Sequence, residues 1–280
     1  MSSILERAAV AVGELLVGDG PAVVIGGRVS LRSGAVEALR EPAALVEPAS
    51  AADLPAIAEL ADAVVVGASW TRDIPLVRAA AGLGLPVVVE RRPSASVEEW
   101  AGLADYCAAE GDGRVLLCEG GARPDLGLLR AARAVSGRPV LVDVSRDIGL
   151  SAAAVAAGAD GLVVDAPGAA WHVAEEAVTV VGALLRQETP ATLPECRQAI
   201  DRVDAALATL LERRAALAGV VQRIKPVGGF AGRDPARERA LVARMAVRAP
   251  SLGEARLGAI MNAVIEAGLD LSEERGVRGS

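Results

Sequence analysis

The chain has 280 residues and a formal net charge of −7, enough length for two domains or for a barrel with an appendage. An acidic surface does not attract phosphate-rich partners, and aromatic residues at 2 % leave little for base stacking, so nucleic acid and anionic membranes are excluded as partners. Mean hydropathy is +0.38, yet no run of about 18 apolar residues appears that would span a membrane.

The first sixteen residues, MSSILERAAVAVGELL, carry Glu6, Arg7 and Glu14 inside an apolar pattern and read as a helix, not a signal peptide. From Pro21 to about Leu185, short Val-rich runs alternate with helical stretches. Candidate strands are Ala22–Ile25, Ala44–Glu47, Ala63–Val66, Pro86–Glu90, Arg114–Cys118, Pro139–Asp143 and Gly161–Asp165. Such runs separated by segments like Ala52–Leu60 and Val97–Ala109 predict repeated β-α units on a parallel sheet. Seven units predict a (β/α) barrel, TIM-like but incomplete, with a doubly wound sheet as the alternative. Cys107, Cys118 and Cys196 lack metal-ligand spacing and leave one thiol over, which predicts a reduced cytoplasmic setting. His172, the only histidine, has no metal partners at useful spacing and receives no catalytic role, while Trp70, Trp100, Trp171 and Phe230 read as packing or interface residues.

Residues 187–194 (QETPATLP) read as a linker, giving a barrel over 1–187, a linker at 188–194 and a helical domain over 195–280. In that domain Ile200, Val203, Leu207, Leu210, Leu211, Leu217, Val220, Val221 and Ile224 recur at three- and four-residue steps, an amphipathic helix. At about 100° per residue, Arg214 and Lys225 fall within roughly 20° of each other, while Arg197 lies about 260° around from Arg214. One helix therefore offers two cations to one pocket and a third in another direction, as suits an anion site shared between two copies.

This pattern resembles the all-helical chorismate mutase family, over about Leu193 to Leu271. There a long first helix carries Arg, Arg and Lys, and Asp-x-x-Arg-Glu opens the second; Arg197, Arg214, Lys225, Asp234, Arg237 and Glu238 stand at those spacings. The resemblance implies a three-helix, dimeric domain that converts chorismate to prephenate by a concerted Claisen rearrangement, with no cofactor and no metal. It assigns the substrate carboxylates to Arg214 and to Arg197 of a partner subunit. Lys225 would face the ether oxygen, Glu238 and the backbone near Asp234 the ring hydroxyl, and Arg237 would add positive charge. Arginine suits this task because its planar fork pairs bidentately with a carboxylate. The other reading leaves Arg197 and Arg214 as solvated helix residues; Asp234 as a helix cap and Glu238 as a partner of the helix dipole are compatible with their site roles, and both roles are expected. One departure concerns the last helix, where the family's Gln or Glu falls on Ser272, with Glu273 adjacent, and its Ser position is Gly268.

The first domain resembles short-type DAHP synthase over about Ala22 to Val164, through the stretch from Glu47-Pro48 to Ala68, and through Val97–Tyr106, Val115–Glu119, Val140–Ser145 and Ala156–Val164. Its functional positions depart from that family. Val29, Arg146 and Asp165 stand for a metal-binding Cys, His and Glu, and Glu90 stands for the phosphoenolpyruvate-binding Lys. Cys118-Glu119-Gly120-Gly121 lacks the family's Arg, and its Lys-Pro-Arg-Thr segment has no counterpart. The expectation is a barrel without synthase activity that acts as a scaffold or regulatory module, with Arg91, Arg92, Arg123 and Arg146 as candidates for ligand binding at the strand ends. Two other functions stay open: a mutase for 4-amino-4-deoxychorismate, and a non-catalytic, metabolite-binding regulator of a shikimate-pathway enzyme.

Overall fold

The computed structural model describes residues 8–32, 39, 43–165, 168–185, 189–225, 227 and 229–278, with side chains to residue 274. Where the N-terminal sequence predicts a helix, residues 1–7 lie outside the described set and the rest is a hairpin: β1 (Val10–Val12) pairs antiparallel with β2 (Leu15–Val17). Gly13, at φ 55°, makes the turn possible, since a side chain there is strained. Val10 and Val12 alternate with an exposed Ala11, the period of a half-buried strand. With Val17 they enter a core already lined by strands, and that burial overrides helix propensity.

Eight parallel strands follow: β3 (Val23–Ile25), β4 (Arg28–Ser30), β5 (Ala43–Glu47), β6 (Ala61–Val66), β7 (Val87–Glu90), β8 (Val115–Glu119), β9 (Val140–Asp143) and β10 (Gly161–Val163). Their order in the sheet is β3-β10-β9-β8-β7-β6-β5-β4. The two ends, β3 and β4, are joined by Gly26 and Gly27 alone, so the sheet curls until its edges meet. β3 and β4 are halves of one strand line, the first paired with β10 and the second with β5. The result is an incomplete TIM-like barrel of seven strand lines. All seven strands expected from the sequence occur within two residues of their predicted bounds.

Helices α1 (Leu54–Leu60), α2 (Ile74–Ala81), α3 (Val97–Glu110), α4 (Leu129–Ser136), α5 (Ser151–Ala157) and α6 (Ala169–Leu185) alternate with the strands from β5 on. Strand alternation sorts the core into two shells. Val64, Val66, Val87, Val89, Leu117, Val140 and Val142 pack outward against the helices. Ile25, Leu45, Ala63, Val65, Val88, Leu116, Leu141 and Val163 face inward and pack with the three hairpin valines. Trp100 is fully buried and donates its indole N–H to the Val89 carbonyl at 2.9 Å, which removes the cost of a buried unpaired donor. Trp171 lies against Gly26.

The chain separates into two compact units, residues 1–203 and 204–280. The division falls inside α7 (Leu193–Ile224), one continuous helix that starts within the expected linker; of that linker, Gln187 and Glu188 lie outside the described residues. After α7 come a 3-10 turn at Phe230–Gly232, α8 (Pro235–Ala246) and α9 (Gly253–Arg278). Asp234 caps α8, its Oδ1 accepting the Arg237 N–H at 3.0 Å, and Pro235 takes the first turn where its missing donor is harmless. Such a cap contributes about 1 kcal/mol. Of the helical unit's own apolar residues Ala206, Leu257, Met261 and Leu269 are buried, whereas Leu207, Leu210, Leu217, Val221 and Ile224 stay 46–76 % exposed. The apolar stripe of α7 is thus only partly covered by its own chain.

Candidate active site

A cavity of about 270 Å³ opens between α7, the 3-10 turn, α8 and α9. That is near the lower end of small-ligand pockets. Arg214 reaches it from α7 and Lys225 from just past that helix's end, Asp234, Arg237 and Glu238 from the start of α8, and Gly268 from α9. Arg214 donates to the Val264 carbonyl at 3.2 Å and passes over Gly268, where a Cβ would stand 3.7 Å from its Nη1. Lys225 donates to the Gly232 carbonyl at 2.9 Å, and Gln222 accepts the Gly229 N–H at 2.8 Å, so α7 holds the turn from two points. Gly232 must be glycine there, because a Cβ would lie 2.2 Å from the Val227 carbonyl oxygen. Phe230 is half exposed in this turn; Gly228, part of the same Gly-rich stretch, lies outside the described residues.

Three expected residues sit elsewhere. Arg197 does not line the cavity: it precedes Arg214 by seventeen residues of helix, about 25 Å of rise, far beyond the reach of one side chain. Ser272 lines a separate groove with Gly219, Arg223 and Leu271. The Glu273 carboxylate lies against the turn, 3.0 Å from the place a Cβ on Gly229 would take.

One charged residue lining the cavity, Arg233, was not singled out by the sequence pattern. Arg233 donates through Nε and Nη2 to both carboxylate oxygens of Glu238, at 3.1 and 2.7 Å. It also donates to Glu266 at 3.3 Å and to Asn262 at 2.7 Å. The hydrogen bond from Arg233 holds the Glu238 carboxyl below its usual range; burial opposes this, and the Arg233 charge adds to it. Arg233 lies in extended backbone between a 3-10 turn and a helix, so helical periodicity gave no reason to select it.

The barrel's mouth, at the C-terminal strand ends, is filled by the chain itself. Arg28 points inward from β4 and is ion-paired with Glu90 and Asp143, with Glu47 at 3.9 Å. Glu47 accepts from Ser30 at 2.7 Å and from the Trp70 indole at 3.0 Å. Gly67 leaves room for that carboxylate, since a Cβ there would stand 1.9 Å from its Oε1. Burial pushes the Glu90 carboxyl up, against the pull of Arg28 and of the Ala68 N–H. Cys118 is fully buried beside the cluster, and burial drives its thiol well above the ordinary range. Of the four arginines expected at the strand ends, Arg91 is committed to Glu119 at 2.9 Å and Arg92 lies 3.8 Å from Glu99, while Arg123 and Arg146 are exposed.

The comparisons with known proteins divide the chain along the same lines. Residues 196–273 match the family of chorismate mutase type II, and residues 41–176 match the DAHP synthetase I family. The chain therefore joins a DAHP synthase-like barrel to a helical region with a chorismate mutase type II domain. A curated relative, the phospho-2-dehydro-3-deoxyheptonate aldolase of Thermotoga maritima, is 33 % identical over 129 residues, 40 % of this chain and 38 % of that protein. The chain thus spans well under half the length of that relative. Two solved structures are similar at a TM-score of 0.51. One is a truncated 3-deoxy-D-arabino-heptulosonate 7-phosphate synthase from T. maritima, 28 % identical over 59 % of this chain and 82 % of that one. The other is the phospho-2-dehydro-3-deoxyheptonate aldolase (DAHP synthase) of T. maritima, 26 % identical over 57 % of this chain and 64 % of that one.

The divalent metal implied by the synthase resemblance does not fit the residues present. Val29 packs into the outer apolar shell, and Arg146 and Asp165 are exposed on separate loops. The mouth carboxylates already surround a guanidinium, and no group of three or more metal-ligating side chains occurs among the described residues. Also among those residues, no helix is long and apolar enough to cross a membrane.

Proposed function

We propose that the protein is a chorismate mutase, active in the cytoplasm, and that its barrel does not make DAHP. The observation that carries this reading is the convergence of Arg214, Lys225, Arg237, Asp234 and Glu238 on one cavity. The rearrangement breaks one C–O bond and forms one C–C bond within a single molecule. It asks the protein to hold a flexible dicarboxylate in a compact conformer and to stabilise charge on the departing ether oxygen. Arg214 takes one carboxylate and Lys225 faces the ether oxygen. Glu238, with the backbone near Asp234, accepts the ring hydroxyl, and Arg237 raises the local potential. Ser272 and Glu273 are not among the residues that line the cavity, whereas Gln222 of α7 lines it together with Lys225.

Arg197 completes the site from a second copy. The exposed stripe of α7 supports this dimer, because burying each large apolar side chain stabilises an interface by about 1.5–3 kcal/mol. In the barrel the Arg28 cluster occupies the space where a phosphorylated substrate would bind, which favours a scaffold or a module docking to a shikimate-pathway enzyme.

Purified full-length chain is expected to consume chorismate and release prephenate, and to form no DAHP from phosphoenolpyruvate and erythrose 4-phosphate with added metal. Absence of prephenate would end the mutase reading. DAHP formation would overturn the barrel assignment. Parallel turnover of 4-amino-4-deoxychorismate tests the substrate choice. For the shared site, chains carrying Arg197→Ala and Arg214→Ala are each expected to be nearly inactive. Mixed and re-dimerised, they should recover about a quarter of wild-type activity, because half the dimers then hold one intact site of two. No recovery would place Arg197 outside the site.

A further inference from the structure

From this geometry we infer that Arg233 is a positioning residue of the mutase site, which fixes Glu238 as an acceptor and ties it to α9. The inference rests on the mutase reading and extends it to a residue outside the expected set. Arg233 stands where three elements meet. Its backbone ends the 3-10 turn held by α7, its fork grips Glu238 in the first turns of α8, and its remaining donors reach Asn262 and Glu266 of α9. Asn262 closes the network by donating to Glu266 at 2.9 Å. A guanidinium can do this because its donors lie in one plane at fixed angles; a lysine ammonium would make single contacts of freer direction.

The consequence is chemical as well as mechanical. Glu238 receives one N–H on each oxygen, so it is ionised and can only accept a hydrogen bond from a ligand. The ligand group facing it must be a donor, a hydroxyl or an ammonium. The charges around Glu238 are Lys225 just past the end of α7, Arg233 at the end of the turn, Asp234 and Arg237 at the start of α8, and Glu266 of α9 behind Arg233. Arg233 acts on the Glu238 carboxylate through two direct hydrogen bonds, so its loss moves Glu238 more than a loss elsewhere in the network.

The test compares wild type, Arg233→Lys and Arg233→Met in the full-length chain. Carbon-13 NMR of glutamate side-chain carboxyls, with Glu238 assigned through Glu238→Gln, reads the group directly whether or not the chain turns over chorismate. Arg233→Met is expected to shift the Glu238 titration to higher pH, and Arg233→Lys to restore it in part. In turnover, the acidic limb of the kcat/KM profile should move to higher pH by the same amount in Arg233→Met. With Arg233→Lys, kcat should fall by about tenfold while KM changes less than threefold, because charge is kept and geometry lost. Coincident Glu238 titrations in wild type and Arg233→Met would overturn the assignment. Prephenate formation absent from wild type, with the titration shifted as described, would instead refute the mutase reading and leave the Arg233–Glu238 coupling standing.

Discussion

Replacing Lys225 with alanine is expected to slow prephenate formation by about 10²–10³-fold, or about 2.7–4 kcal/mol of transition-state stabilisation, the usual range for loss of one preorganised donor. The effect should appear in kcat and much less in KM. In the ground state the ether oxygen is neutral and gains little from an ammonium; as the C–O bond lengthens, the charge appears and the ammonium is already in place. Lys225 is preorganised by its hydrogen bond to the Gly232 carbonyl, so no water network has to rearrange around it during the step. Arg214→Ala should differ in kind, raising KM and lowering kcat together, because a carboxylate is present in both states. Chorismate disappearance over a range of substrate concentrations separates the two. A Lys225→Ala chain with unchanged kcat would show that the cavity is not where the chemistry happens.

Arg28→Met is expected to destabilise the barrel by about 3–5 kcal/mol, the usual cost of removing one partner from a buried charge group. Glu90 and Asp143 lose their ion pair, and Glu47 loses its nearby charge, in a setting where each side chain is no more than 13 % exposed. The pH dependence follows from the direction of the shifts. Burial already raises Glu90 above its unfolded value, and without the guanidinium, which pulls it down, Glu90 should rise further. At Glu90 the folded variant then binds more protons than the unfolded chain, so its stability improves as pH falls and worsens as pH rises through the folded Glu90 value. The stability difference from wild type in urea unfolding should therefore be largest near neutral pH and smaller near pH 5. A difference below about 1 kcal/mol, constant with pH, would mean that the cluster is not a structural clamp.

The second of these results bears on how the barrel is built. In the DAHP synthase-like barrel the mouth is a charged core layer, with Arg28 ion-paired to Glu90 and Asp143 and Glu47 close by. Glu90 was conspicuous in the sequence because it replaces a lysine. Arg28, which makes sense of that replacement, was not conspicuous, because its partners lie 19, 62 and 115 residues away along the chain.

Local patterns were sufficient for much of this protein. Val-rich runs at regular spacing located the seven strands, the three- and four-residue apolar period located α7, and Asp234-Pro235 located the start of α8. Each is a short-range property, decided by backbone propensity and burial period within about ten residues. The grouping of Arg214 and Lys225 was also legible, since rotation along one helix follows from residue number alone. The N-terminal hairpin was not legible, because Val10, Val12 and Val17 take strand form only when a ring of strands exists for them to enter. Closure of that ring through Gly26 and Gly27, the burial of Arg28 among three carboxylates, and the grip of Arg233 on Glu238 depend on contacts between distant segments. Sequence therefore determined the elements and the chemistry they carry, while tertiary structure decided which charges meet, because Coulomb energy and desolvation depend on distances in space that sequence separation does not encode.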